Sequence, residues 1–246
     1  MKKVFLIFAL IAFVALTGCQ QAQQSSSSAV PASTAAAQIG ASASNSVNLS
    51  SVIFSAVGIQ SAATKGVLAK TATVTPVYAS GWWSFTLSYG GGITLDASFR
   101  VWDSNSEITN TTALGNLTSA NVKDLWVYAT LTMGTASIKM GNSTTDPLKL
   151  TGLPGSKVLN GSISSNASYS GTSYSVIIAY SSLSIDTSGY PNGNINFSIT
   201  SGGSTIYAGT IAFNGSSLAT ITFTSGSSAK YTCNLVSGAV TAASVK

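Results

Sequence analysis

The chain has 246 residues, 45% apolar and only 7% charged, so it can bury a large core while keeping a polar surface that is scarcely ionic. It contains no histidine, which removes Ser-His and Cys-His nucleophile pairs, the commonest general base and most zinc sites. Its eleven cations outnumber six acids, but beyond Lys2 and Lys3 they are scattered singly, so no basic patch could follow a phosphate backbone and nucleic acid is not expected as a partner.

Lys2 and Lys3 open the chain with positive charge, and Val4 to Leu16 form an uncharged apolar run. That run is shorter than the roughly 20 residues a helix needs to span a bilayer. With the small exit Thr17-Gly18, it reads as a cleaved signal peptide over residues 1–18. Leu16-Thr17-Gly18-Cys19 resembles the lipobox of bacterial lipoproteins. The resemblance covers residues 1–19 and implies that the Cys19 thiol carries a diacylglycerol, with cleavage before it and acylation of the new amine. A membrane is then a partner through these acyl chains, since two or more chains anchor stably. Gln20 stands where, in that family, an Asp would favour inner-membrane retention. The implied location is the cell envelope, on the outer membrane if the cell has two.

Residues 19–48 are mostly Gln, Ser and Ala and read as a lipidated, disordered tether; residues 49–246 read as one domain. In the domain's first segment, Ile53, Phe54, Val57 and Ala62 suggest a short amphipathic helix over 50–63, opened by Ser50 or Ser51, with a strand as the alternative.

From Trp82 onward the period is two. Trp83, Phe85, Leu87 and Tyr89 alternate with Trp82, Ser84, Thr86 and Ser88. Gly90-Gly91-Gly92 joins them to a second alternating run, Ile93 to Asp103. Further strands are expected over 122–134 and 172–186. In the last third, Gly202, Gly215, Gly226 and Gly238 recur at the spacing of one strand plus one turn. Asn214-Gly215 predicts a type I′ turn, in which both residues take positive φ. The expected fold is all-β: an antiparallel up-and-down meander of nine to eleven strands, forming a sandwich, a barrel or one strongly curved sheet. One face is apolar and the other is Ser, Thr and Asn.

Chemistry-bearing residues are few. With Cys19 acylated, Cys233 has no disulfide partner, and its alternation with Tyr231 and Leu235 predicts a buried strand position. The six acids (Asp96, Asp103, Glu107, Asp124, Asp146 and Asp186) would permit a carboxylate-pair glycoside hydrolase, but their scatter favours plain surface solubility. Asp103, Asn105 and Glu107 alternate as calcium ligands can, yet Ile108 and Leu114 occupy the positions where a calcium loop needs Gly and a carboxylate. Ser227-Ser228-Ala229-Lys230 has the letters S-x-x-K, but in a turn and without the partner motifs that give them chemistry. Trp82, Trp102 and Trp126 fall on or near the polar face, as candidate ligand-binding aromatics, or pack beneath the 103–121 loop.

The sequence therefore points to a lipid-anchored envelope protein without enzymatic activity and without a cofactor. It would bind a surface glycan or protein through exposed aromatics. The alternatives are a carrier holding lipid or other hydrophobic cargo in a curved sheet, and the carboxylate hydrolase.

Overall fold

The structure is a computed structural model that describes residues 30–56, 75–89, 91–104, 106–169, 171–186 and 189–243. The signal peptide, Cys19, Asn105 and residues 57–63 of the anticipated helix lie outside the described residues.

Two helices, α1 (Ala32–Ala56) and α2 (Thr111–Gly115), accompany thirteen strands among the described residues. The strands are β1 (Val77–Ala79), β2 (Trp82–Tyr89), β3 (Ile93–Trp102), β4 (Asp124–Met133), β5 (Ala136–Met140), β6 (Leu148–Thr151) and β7 (Lys157–Tyr169). They continue with β8 (Thr172–Ile185), β9 (Pro191–Ser201), β10 (Ser204–Asn214), β11 (Leu218–Ser225), β12 (Lys230–Asn234) and β13 (Val240–Ala242). All lie in one antiparallel sheet ordered β1-β2-β3-β4-β5-β7 and then in sequence to β13. β6 follows β5 along the same line, filling the space between β4 and β7. The expected meander is present. Its extra strands are short ones (β1, β5, β6, β13), too brief for alternation to reveal.

The sheet has to curl. Laid flat, twelve neighbouring strands would be about 50 Å wide, whereas α1 is a rod about 37 Å long and 10 Å across. One helix cannot cover that width, yet a single buried cluster runs from Val30 to Leu235. The apolar face is therefore covered by more than α1: the sheet curves over it, and the β3–β4 connection adds Ile108, Leu117 and Val122 to the same cluster. Bulges supply the bending: the β7–β8 register shifts between Leu159 and Gly161, and the β8–β9 register between Tyr180 and Ser184. Gly161 has φ +111, and a Cβ there would sit 2.8 Å from the Pro147 carbonyl oxygen, so only glycine lets the loop before β6 lie this close to β7.

Two expectations are corrected. Residues 30–48 are not a disordered tether: α1 begins at Ala32 and buries Ala35, Ala36, Ile39 and Ala43 against the sheet, on β9 and β11–β13. The helix anticipated from residue 50 is the last part of this much longer one. Alanine is the best helix former, and the spacing 35, 36, 39, 43 is a helical face, although every side chain on it except Ile39 is small. Asn214-Gly215 does not make a type I′ turn either. Gly215 has φ +76, but Asn214 is not among the positive-φ residues and ends β10 opposite Asn192. Its side chain shapes the turn instead, with Oδ1 accepting from the Ser216 amide at 3.2 Å and hydroxyl at 2.7 Å.

Alternating strand direction gives the sheet two ends. The β2–β3, β4–β5, β7–β8 and β9–β10 turns share one, the glycine-turn end. The β3–β4, β6–β7, β8–β9, β10–β11 and β12–β13 connections share the other, the loop end. At the loop end the interior is sealed: the β3–β4 connection folds Ile108, Leu117 and Val122 inward, and the Trp83 indole N–H donates to the Ile108 carbonyl at 2.7 Å. At the glycine-turn end, Phe85, Leu87, Ile93, Leu95, Met133 and Ile138 on the inner-facing positions of β2–β5 remain half-buried.

Candidate functional site

The outer face near the loop end gathers the three aromatics singled out in the sequence. Trp82 begins β2, immediately before Trp83, which pairs with Phe99. Arg100 pairs with Trp126, and Trp126 with Lys149. A cross-strand row of alternating rings and cations results, because residues opposite each other on antiparallel strands share a face.

Arg100 is its centre. Its guanidinium carbon lies 5.9 Å from the Trp82 ring, 5.0 Å from Trp102 and 5.3 Å from Trp126. The Lys149 ammonium sits 4.3 Å from the Trp126 ring on the next strand. Trp102 and Trp126 meet at 5.0 Å with their planes tilted by 52°. The rings are half-buried on the sheet, Trp102 and Trp126 against each other, with Glu107 of the 103–121 loop alongside Trp102.

Glu107 reaches Arg100 because the chain doubles back after β3. The Asp103 amide donates to the Ser106 carbonyl at 3.1 Å, and Glu107 forms an antiparallel bridge with Trp102. Arg100 Nε and Nη2 then donate to the two Glu107 carboxylate oxygens at 2.8 and 2.6 Å. This two-pronged pair raises the Arg100 pKa against the opposing effect of burial and holds the fork flat among the rings.

The same contacts bear on the other candidates. Both Glu107 oxygens face a guanidinium, Asp103 Oδ1 accepts from the Ser106 amide at 2.9 Å, and Asn105 lies outside the described residues. Among the described residues, no three His, Cys, Asp or Glu side chains approach closely enough to hold a metal ion. Ser227 stands in the turn between β11 and β12, where its hydroxyl accepts from the Ala229 amide at 3.1 Å, and Lys230 opens β12.

Sequence reasoning missed what lies beside the platform. Two further outer-face rows, Ser84–Ser98–Tyr128 and Thr86–Asp96–Thr130, continue along β2–β4 towards the glycine-turn end. They line a shallow, open depression of about 410 Å³. Thr86 donates to Asp96 Oδ1 at 2.6 Å, leaving the second carboxylate oxygen, the serine hydroxyls and the Tyr128 ring at its walls. The signal was the alternation itself: once the strands pair in this register, their polar positions fall into line.

No protein-family model, no curated protein and no solved structure matches this chain.

Proposed function

We propose that this protein is a lipid-anchored, non-enzymatic component of a bacterial cell envelope that binds surface glycan at the Trp82–Trp102–Trp126 platform. One observation carries the reading: three tryptophans from three strands gather around Arg100 on the polar face of the sheet. The C–H face of a sugar ring stacks on such aromatics. The adjoining depression offers hydroxyls and one carboxylate at hydrogen-bonding distance from a bound ring's substituents. Glu107 neutralises Arg100, the central cation of the row, so the platform suits a neutral glycan better than a highly charged one.

The test is retention on immobilised polysaccharides. Trp102→Ala and Trp126→Ala should abolish retention while far-ultraviolet circular dichroism stays unchanged. Full retention by both folded variants would overturn the reading.

A carrier of lipid or other hydrophobic cargo is the second reading, favoured by the half-buried apolar residues at the glycine-turn end of β2–β5. It predicts lipid in an organic extract of the purified protein; an extract free of lipid would count against it.

A further inference from the structure

We infer that the ligand is an extended, neutral chain of β-linked sugars lying lengthwise along β2–β4, from the tryptophan platform to Asp96. The inference rests on the reading of the platform as a glycan site, and adds the ligand's shape, its direction and a second region of contact.

The direction follows from what adjoins the platform on each side. Along β4, Trp126 and Tyr128 are two residues apart, so both rings stand on the outer face, about 7 Å apart along the strand. Tyr128 lines the depression, and Thr130 continues the same line at its far side. Trp126 to Thr130 spans about 14 Å of strand, room for about three sugar rings end to end. Across the strands, the row leads instead through Lys149 to Asn160, whose side-chain oxygen already accepts from the Ser182 amide at 2.7 Å. Beyond Asn160 the β7–β8 register breaks at a bulge, and the outer face no longer continues in line.

The chemistry changes along β2–β4 as a sugar chain requires. Aromatic faces at the platform suit the C–H surface of a sugar ring, and the depression suits its hydroxyl edge. Thr86 donates to one oxygen of Asp96 at 2.6 Å, which fixes the carboxylate and leaves the other oxygen to accept from a sugar hydroxyl. Hydrogen bonds to an ionised acceptor are the stronger kind. Charge stays balanced along the line: Thr130 has Asp96 opposite it on β3 and Lys139 opposite it on β5, as Glu107 offsets Arg100 at the platform. A β-1,4-linked chain fits both regions, because it is a flat ribbon with C–H groups on its faces and hydroxyls along its edges. An α-1,4-linked chain coils away from an extended strand.

The test is calorimetric titration of the full chain, in a detergent without sugar headgroups, with β-1,4-linked oligomers of glucose and of N-acetylglucosamine. Oligomers of α-1,4-linked glucose serve as the coiled control. Affinity for one β-linked series should rise about tenfold or more from dimer to tetramer, the worth of one hydrogen bond to a charged group, and then level off. Asp96→Asn, which keeps the side chain's shape, and Tyr128→Ala should each remove most of that rise while weakening the dimer far less. Trp126→Ala should weaken every length. Equal affinity at all lengths, a rise that both Asp96→Asn and Tyr128→Ala leave intact, or an equal rise with the α-linked series would overturn the inference. So would no binding of either β-linked series by protein whose retention on polysaccharide depends on Trp102 and Trp126; in each case the platform reading would stand. Retention that survives Trp102→Ala and Trp126→Ala would overturn the platform reading and the inference with it.

Discussion

The thiol of Cys233 donates a 3.5 Å hydrogen bond to the carbonyl oxygen of Gly40, joining β12 to the middle of α1 across 193 residues of sequence. The contact marks α1 as part of the core. A helix with a bulky side chain at position 40 could not approach the sheet this closely.

Truncation should show how much the fold depends on that helix. Deleting residues 1–29 should leave a cooperative unfolding transition. Deleting residues 1–48 removes Val30, Ala35, Ala36, Ile39 and Ala43 from the core, and burial of Ile39 alone contributes ~1.5–3 kcal/mol. The shorter protein should bind 1-anilinonaphthalene-8-sulfonate and lose near-ultraviolet circular dichroism; a native spectrum would show that the sheet closes without α1.

Gly40→Ala tests the close approach. Alanine improves helix propensity by about 1 kcal/mol, but its Cβ would meet Val240 Cγ2 at 2.2 Å and Cys233 Sγ at 3.3 Å. Overpacking of this kind costs about 1–3 kcal/mol. Urea denaturation should find the variant less stable, and a stabilised variant would mean that the β12–β13 hairpin yields freely.

Burial pushes the Cys233 thiol up from 9.0 to about 11. A thiol with a raised folded pKa contributes its full stability below pH 9. That share falls as pH climbs through the folded value, because the unfolded chain ionises first. The loss amounts to about 2–3 kcal/mol at most. Stability of the native chain minus that of Cys233→Ala should decline between pH 9 and 11; a flat difference would show that the thiol reaches water. For the same reason, iodoacetamide at pH 8 should label Cys233 only after denaturant is added.

Arg100 and Glu107 separate charge pairing from ring packing. Glu107→Gln breaks a partly exposed ion pair worth about 0–1 kcal/mol, and added salt should shrink its effect. Arg100→Ala also empties the space among three indoles and should cost about 1–2 kcal/mol. It should shift tryptophan emission, whereas Glu107→Gln should move it little. Equal shifts from both would mean that the ion pair, not the cation's contact with the rings, sets the cluster's geometry.

Trp83→Phe keeps a ring against Phe99, 6.5 Å away between centroids, but deletes the indole donor to the buried Ile108 carbonyl. An orphaned carbonyl costs about 1–3 kcal/mol. Protection of the amides around Ile108 and Leu117 from hydrogen exchange should fall before that of β8 and β9.

The parts of the fold legible in sequence were those with local causes. Alternation in Trp82–Tyr89 and Ile93–Trp102 sets which side chains face inward, and that follows from strand geometry alone. It also placed Trp83 apart from Trp82 and put Cys233 inside. Where composition misled, burial was the reason. Ala32–Ala43 looked too poor in large apolar groups to fold, but small side chains suit a helix pressed tightly against a sheet, and its need for them appears only once that sheet exists. Asn214 likewise has the backbone freedom for a type I′ turn; pairing with Asn192 keeps it in the strand.

By itself the sequence determined an all-β meander with one apolar face, an absence of histidine chemistry, and three tryptophans on the polar side. Only the tertiary structure decided that those tryptophans gather around Arg100. Residues 82, 102 and 126 converge because β2, β3 and β4 pair in one register, and Glu107 holds Arg100 among them because the chain reverses after Trp102. Alternation has a period of two within each strand, whereas register depends on the whole sheet: a one-residue slip would preserve every local pattern and send Arg100 to the other face.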